Sequence, residues 1–243
     1  MRQLAHAFAR RVLGSAYPRA LVRWRRAQGA YRAQRTAVYT RRFVGWHGLT
    51  ATGGPFAGLT YPDTEPLSLV PKLLGVYESE LHAPVEEAIR ARPQVIVNVG
   101  AADGYYAVGL KRRCPDATVI AYEADAGQAG ICRRVAAANA VDLDVRGAAG
   151  RDDLAAASLI VMDCEGCERA LLDPAANPDL QGAEIVVELH DFLDPGVGDA
   201  IAARFAPTHD VTLIPTAPQP PARHPLSEQR PGPMRWAVMT PLR

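Results

Sequence analysis

The sequence Gln94-Val-Ile-Val-Asn-Val-Gly-Ala-Ala-Asp-Gly104 decides the fold. Apolar residues at 95–97 and 99 predict a short buried strand, and the small residues at 100–104 predict a sharp turn. A helix is predicted to begin near Tyr105. This arrangement is typical of a nucleotide-like ligand site, because small residues let the backbone approach the ligand and free N–H groups at the helix start point at it.

A second predicted strand, at 118–123, supports a ligand site because it ends in the carboxylate of Glu123. In such units, a carboxylate about twenty residues after the turn binds ribose hydroxyls. A dinucleotide site requires the pattern G-x-G-x-x-G, but here Ala102 stands at the second glycine and the bulky Tyr105 at the third. The pattern suits a ligand without a pyrophosphate, such as S-adenosylmethionine (SAM). A tight turn that binds no ligand is the alternative.

Strands and helices alternate through the rest of the chain, which predicts an α/β fold with a mostly parallel sheet and helices on both faces. Residues 43–70 are predicted to be irregular or short-strand structure, and the proline-rich segment 215–233 to be a loop that borders a substrate pocket. The predicted strands lie at 94–99, 118–123, 141–146, 158–163, 184–190, 209–214 and 234–240. The predicted helices lie at 78–90, 105–113, 126–139, 166–172 and 197–206.

Charge, composition and the pattern of strands and helices divide the chain into an N-terminal helical arm at 1–42, a lead-in segment and helix at 43–92, and a main domain at 93–243. The arm holds eleven arginines and no acidic residue, which leaves 16 basic against all 26 acidic residues in the remainder. Two helical pieces broken near Pro18 are predicted in the arm. It packs on its own domain or on a second subunit of a homo-oligomer, or it contacts a membrane surface, an acidic partner or nucleic acid, or it is an organelle-targeting peptide.

Composition indicates an ordinary globular protein, with 48% hydrophobic and 22% charged residues. The chain has neither an apolar run long enough to span a membrane nor a secretory signal, and its four cysteines are too few for a disulfide framework. We therefore expect reduced thiols and a cytoplasmic protein, with the inner membrane surface as an alternative location. Nucleic acid is disfavoured as a partner because the acidic main domain would repel a polyanion.

Polar residues follow two further predicted strands, at Asp163 and Glu165 and at Glu188 and His190. Because ligands bind at the carboxyl ends of parallel strands, these side chains are predicted to meet beside the cofactor turn. In one chemistry, His190 or Asp163 is the general base that takes a proton from a substrate hydroxyl. In the other, Asp163, Glu188 and His190 hold a divalent cation such as Mg²⁺. A structural role, as helix caps or arginine partners, is the alternative, and it is favoured for Glu168.

The motif Cys164-x-x-Cys167 has the spacing of half a zinc site or of a redox pair. No second pair of cysteines accompanies it, and it lies in a strand-to-helix turn that is already rich in acids. Both interpretations are therefore disfavoured.

Four stretches resemble the FkbM-type branch of class I SAM-dependent methyltransferases. They are residues 98–106, 122–125, 160–168 and 187–190, and the Asp-x-Glu-Gly-x-Glu turn at 163–168 is the most specific of them. The resemblance covers residues 70–215 and implies a Rossmann-like, seven-stranded sheet. It also implies a transferase that moves a methyl group from SAM to a hydroxyl of a sugar, glycan or other hydroxylated metabolite.

The resemblance also assigns site residues. It implies that Glu123 binds the ribose of SAM and that Asp163, Glu165 and His190 line the acceptor side. Asn98 departs from the family, which commonly has Asp there, and Asp103 is expected to compensate in holding the cofactor's ammonium. Asp152 or Asp153 is expected to supply an adenine contact. Tyr105 is expected to be a further cofactor-binding residue. The residues expected to line the methionine part of SAM are Gly100, Ala101, Ala102, Asp103 and Gly104.

A different class of function remains open, in which the fold is a non-catalytic scaffold or partner subunit and the arm is its binding element. Polar residues at three strand ends argue against this class, because a scaffold has no need of them.

Overall fold

The computed structural model describes residues 36–218, 220, 224, 226–228 and 234–242. Seven strands form one sheet in the order β3-β2-β1-β4-β5-β7-β6, and all neighbouring pairs are parallel except those that β7 makes with β5 and β6. The strands are β1 Val95–Val99, β2 Thr118–Tyr122, β3 Asp144–Arg146, β4 Leu159–Met162, β5 Glu184–Leu189, β6 His209–Pro215 and β7 Arg235–Pro241. The prediction of a Rossmann-like, seven-stranded, mostly parallel sheet is confirmed.

Helices cover both faces of the sheet, as predicted. They are α1 over 36–47, α2 Leu69–Leu74, α3 His82–Arg90, α4 Tyr105–Arg113, α5 Ala126–Ala138, α6 Glu168–Leu171 and α7 Val197–Phe205. Short 3₁₀ turns lie at Ser79–Leu81, Arg151–Leu154 and Pro178–Gly182. Alternate residues of a strand point to opposite faces, so Ile96 packs in the core with α3, α4 and α5, while Val97 packs in the core with α7.

The central strands end in line with one another. Val99 of β1 pairs with Tyr122 of β2 and with Met162 of β4, and Met162 pairs with Val187 of β5. The residues that follow these strands therefore reach the same edge of the sheet, where the open α/β fold binds its ligands.

The lead-in segment differs from its prediction. Helix α2 was not predicted, since Pro71 interrupts a short apolar run; proline is tolerated here because it lies in the first turn of the helix. Gly75, in a left-handed conformation, ends α2. Phe56 is buried against Gly109 of α4, so this segment contributes to the main core.

Parts of the arm and of the proline-rich loop lie outside the described residues. The first predicted helix of the arm does so entirely. The second was predicted at about 19–38, and only its last residues, from 36, are described; there they belong to α1, which ends at residue 47. In the described part of the loop, the Glu228 side chain accepts a hydrogen bond from Glu78 N at 3.0 Å. Among the described residues, no helix is both long and apolar enough to cross a membrane.

Candidate functional site

The turn after β1 is shaped by a close approach to β4. Gly100 has a φ of +75°, and a Cβ placed on it would lie 1.6 Å from the carbonyl oxygen of Asp163. No side chain fits there, so the glycine is required by the packing of two strand ends. The same contact places the predicted cofactor turn directly beside the predicted catalytic residues.

The backbone N–H groups at the start of this turn are bonded within the protein. Gly100 N and Ala101 N both donate to the carbonyl oxygen of Tyr122, at 2.9 and 3.0 Å. Ala102 N donates to Oε2 of Glu123 at 2.7 Å. These three residues precede the helix start, so the expectation of free N–H groups at the start of the helix stays a prediction.

Glu123 lies at the end of β2, as predicted, and links two turns. In addition to Ala102 N, it accepts a hydrogen bond from Asp125 N at 2.8 Å through Oε1. Its side chain is partly exposed. Because each carboxylate oxygen has two lone pairs, both oxygens retain the capacity to accept a hydroxyl.

Asp103 is buried and forms an ion pair with Lys72 of α2, whose Nζ lies 2.5 Å from Oδ2. The Lys72 ammonium also faces the rings of Tyr77 and Tyr105, 4.8 and 5.5 Å from their centroids. The charge of Asp103 is thus already compensated, which weakens the expectation that it replaces an Asp at position 98. Sequence reasoning missed Lys72, although the chain has only two lysines, and the other is Lys111.

Asn98 and Tyr105 are both buried. Nδ2 of Asn98 donates to the carbonyl oxygen of Val161 at 3.1 Å, whereas its Oδ1 has no hydrogen-bond partner within the described part of the chain. The ring of Tyr105 packs edge-on against those of Phe56 and Tyr77, so it contributes to the core.

The adenine contact was expected from Asp152 or Asp153. Asp152 is exposed, whereas Asp153 accepts hydrogen bonds from the Tyr122 hydroxyl at 2.9 Å and from Gly150 N at 2.7 Å. These bonds, the one from Gly150 first, hold the pKa of Asp153 below its usual value.

The residues after β4 and β5 converge on the imidazole of His190. We call Asp163, Glu165, Glu188 and His190 the acidic rim. Nε2 of His190 lies 3.4 Å from Asp163 Oδ1, 3.5 Å from Glu165 Oε2 and 3.7 Å from Glu188 Oε2. His190 is fully buried, and Glu188 nearly so, whereas the Glu165 side chain is 71% exposed. The structure thus brings together all four residues that the sequence predicted to be catalytic.

Glu168 has a role that the sequence did not reveal. The helix-cap interpretation favoured for it is wrong, because its carboxylate is fully buried and accepts a hydrogen bond from Nδ1 of His190. A proton on Nδ1 leaves the lone pair of Nε2 facing the acidic rim. The short helix α6 begins at Glu168, which turns the side chain inward; the turn sequence alone gave no signal of this.

The protonation of His190 reflects opposing effects. Burial of the ring lowers its pKa, but the hydrogen bond to Glu168 and the charges of Asp163, Glu168 and Glu165 outweigh burial. The pKa of His190 therefore lies above its ordinary value, so Nε2 is a stronger base than an exposed imidazole.

The cysteines also differ from their prediction. Cys164 and Cys167 form a disulfide across the turn between Asp163 and Glu168, whereas Cys114 and Cys132 are buried free thiols. The expectation of reduced thiols is therefore wrong for this pair. The sequence showed the spacing, but it did not show that the turn would bring the two sulfurs together.

The rim can perform two kinds of chemistry. An imidazole that carries its proton on Nδ1 can take a second proton at Nε2 from a nearby hydroxyl. Alternatively, donor atoms of Asp163, Glu165 and His190, which all lie within 4.8 Å of one another, can hold a metal ion. Glu188 belongs to the rim but not to this group of three.

No protein-family model matches the chain, and no curated protein matches it. The O-methyltransferase TomG of Streptomyces achromogenes, involved in tomaymycin synthesis and solved with SAM, is 18% identical over 70% of this chain and 83% of that one, with a TM-score of 0.48. An O-methyltransferase of Bacillus cereus, solved with S-adenosylhomocysteine, is 15% identical over 64% of this chain and 78% of that one, with a TM-score of 0.45.

The ribosomal protein L11 methylase of Lactobacillus delbrueckii subsp. bulgaricus is also similar, at 15% identity over 68% of this chain and 79% of that one, with a TM-score of 0.47. Because the identities of these three structures are below 20% and their TM-scores below 0.5, the similarities carry no argument about the activity of this chain.

Proposed function

We propose that this protein is a SAM-dependent O-methyltransferase of the FkbM type, which methylates a hydroxyl of a sugar, glycan or other hydroxylated metabolite. The observation that carries the proposal is the contact between Gly100 and Asp163, which sets a SAM-type turn against the acidic rim. A methyl donor at the turn and an acceptor hydroxyl at the rim would then be neighbours.

The residues of the turn fit SAM in two respects. Oδ1 of Asn98 is a buried acceptor without a hydrogen-bond partner in the described residues, and the ammonium of the methionine part would satisfy it. Glu123, at the end of β2, retains the capacity to accept both ribose hydroxyls. SAM would supply an electrophilic methyl group on a positively charged sulfur.

The rim would prepare the acceptor. In this proposal, an acceptor hydroxyl lies near Nε2 of His190, which takes its proton, while Glu168 holds the ring in place and stabilises the imidazolium that forms. Asp163 and Glu165 orient the acceptor by accepting its other hydroxyl protons. Several carboxylates around one base suit a polyhydroxylated acceptor such as a sugar.

Helix α1, which joins the arm to the lead-in segment, suggests where the acceptor is found. Helix α1 carries Arg41, Arg42 and Trp46, and the Trp46 side chain is 82% exposed. Arginine and exposed tryptophan favour the surface of an anionic membrane, so we propose a lipid-linked sugar as one acceptor class and the cytoplasmic membrane surface as the location.

A non-catalytic scaffold is the competing proposal, and calorimetric titration of the full chain with SAM, S-adenosylhomocysteine and NAD, each with and without Mg²⁺, separates the two. We expect micromolar binding of the first two ligands and none of NAD. Glu123→Ala should weaken SAM binding at least tenfold, whereas the matched exposed acid variant Asp210→Asn should not change it. Absence of SAM binding would refute the enzyme proposal.

A further inference from the structure

The Cys164–Cys167 disulfide closes a small ring inside the rim. The ring contains only Glu165 and Gly166 between the two cysteines, and Asp163 and Glu168 flank it. A disulfide stabilises a fold mainly by closing a long loop in the unfolded chain, so one this short contributes little to global stability. Its main effect is on the local position of the residues it encloses.

The ring holds Glu165 in an unusual backbone conformation. Glu165 has a φ of +54°, which is uncommon for a residue with a side chain, and Gly166 follows at +109°. In this conformation, Oε2 of Glu165 lies 3.5 Å from Nε2 of His190, although the Glu165 side chain is largely exposed. No packing holds so exposed a side chain, so the backbone of the ring determines where it points.

The geometry around Nε2 of His190 is that of a metal ligand. Nε2 is fully buried and makes no hydrogen bond within the described part of the chain, yet it lies 3.4 and 3.5 Å from carboxylate oxygens of Asp163 and Glu165. Two donors that bind one divalent ion at about 2.1 Å each lie roughly 3.0–3.5 Å apart. These separations are too long for good hydrogen bonds but suit an ion between the donors.

The surroundings of His190 support the same conclusion. Metal-binding histidines usually donate their other ring N–H to a carboxylate, which fixes the tautomer, and Glu168 accepts this bond here. Glu168 also accepts from Gly166 N at 3.2 Å, so the same carboxylate contacts both the imidazole and the disulfide ring. The carboxylates of Asp163 and Glu165 supply negative charge next to Nε2, and Glu188 adds a third carboxylate 3.7 Å from the same nitrogen.

We propose that Asp163, Glu165 and His190 form a divalent-cation site that is assembled only while the Cys164–Cys167 disulfide is intact. An imidazole with two carboxylates suits Mn²⁺ or Zn²⁺ rather than Ca²⁺, which takes oxygen ligands. A dithiol reductant transfers two electrons and two protons to the sulfurs, giving two thiols while the dithiol becomes a disulfide. The ring then opens, Glu165 relaxes from its left-handed conformation, and the site loses a ligand.

The inference deepens the proposed function and rests on it only for its role. An ion on Nε2 of His190 takes the lone pair that would otherwise accept the proton of the acceptor hydroxyl, so the ion-bound and general-base forms of the site are alternatives. The redox state of the disulfide would select between them and so regulate methyl transfer.

The test measures Mn²⁺ binding by the full chain from the electron paramagnetic resonance signal of free Mn²⁺. We expect one Mn²⁺ per oxidised chain. Affinity should fall about tenfold or more after reduction with a phosphine that is then removed, and should return on reoxidation.

Variants identify the residues responsible. Cys164→Ser/Cys167→Ser should bind Mn²⁺ like the reduced protein whatever the redox conditions, whereas Cys114→Ala, which removes a free thiol elsewhere, should behave like the native chain. Glu165→Gln should abolish tight binding, and this exposed position carries little risk to folding. The matched Asp210→Asn variant should bind normally.

Two results would overturn the proposal. The first is absence of stoichiometric Mn²⁺ or Zn²⁺ binding by the oxidised chain, and the second is equal affinity in the oxidised and reduced states. SAM titration of the same samples keeps the two proposals distinct. Redox-dependent Mn²⁺ binding without SAM binding would refute the methyltransferase and leave the cation site standing.

Discussion

The turn at 100–104 and the acidic rim adjoin at one edge of the sheet, yet they are built in opposite ways. In the turn, backbone N–H groups are bonded to Tyr122 and Glu123, and Asp103 is paired with Lys72. In the rim, His190 presents a buried Nε2 that makes no hydrogen bond within the described residues. A fully bonded region contributes to stability, whereas a region that keeps donor atoms aimed at a common point is arranged for a ligand.

This contrast predicts that substitutions in the turn will destabilise the fold and that substitutions in the rim will reduce activity. The largest effect is expected from Gly100→Ala, because its Cβ would overlap the backbone of Asp163. We expect a loss of more than about 5 kcal/mol in the free energy of unfolding, measured by denaturant titration, together with loss of SAM binding.

The matched control is Gly130→Ala, at a helical glycine whose added Cβ would meet no atom within 4 Å. This variant should be more stable than the native chain by about 0.5–1 kcal/mol, because alanine favours a helix. Equal stability of the two variants would mean that Gly100 is not required by packing.

The next largest effect is expected from Lys72→Met, which leaves the buried charge of Asp103 without its partner. Breaking such a pair on one side costs about 3–5 kcal/mol in the free energy of unfolding. Lys72→Met/Asp103→Leu should recover most of the loss, and Lys111→Met, at the only other lysine, should cost less. If the double variant were as unstable as the single one, the pair would not be the cause.

In the rim, Asp163→Asn should reduce turnover by about 100-fold or more once an acceptor is known, because the acceptor side loses a carboxylate. The free energy of unfolding should change by less than about 1 kcal/mol, and SAM affinity should stay within a few-fold, since amide and carboxylate have nearly the same shape. His190→Ala should likewise abolish turnover. Full activity in either variant would remove that residue from the mechanism.

The smallest effect concerns Asp153 and depends on pH. The pKa of Asp153 is lower in the folded than in the unfolded state. Its contribution to stability is therefore fully present at a pH above the unfolded-state pKa, and it is lost as the pH falls through the folded-state pKa. Asp153→Asn should therefore be less stable at pH 7, by about 1 kcal/mol or less, and equally stable at strongly acidic pH. A difference that persists in acid would point to packing instead.

Much of the fold could be predicted because the central strands are continuous apolar runs. The predicted helix at 105–113 matches α4, and the strand at 184–190 differs from β5 by one residue. A fully buried parallel strand can be recognised in a sequence by its continuous run of apolar residues. Helix α2 could not be predicted, since six residues with a proline show no helical period.

The part of the site that lies at the strand ends could be predicted from the sequence. Asp163 and His190 could be placed together because parallel strands end at one edge. Glu168 and Lys72 could not be found, since their roles depend on partners 22 and 31 residues away in the sequence. The disulfide was missed for a related reason: the spacing of two cysteines is local, but their approach depends on the turn that Gly166 permits.

Strand β7 follows the six other described strands in the sequence, yet it lies inside the sheet between β5 and β6, with Trp236, Ala237 and Met239 fully buried. During synthesis on the ribosome, β5 therefore emerges long before its neighbour does and presents an open edge in the meantime. Such an edge can pair with another nascent chain. The sheet is therefore completed only when β7 inserts between β5 and β6. Nonsense mutations shortly before β7 should yield aggregates rather than a smaller folded protein.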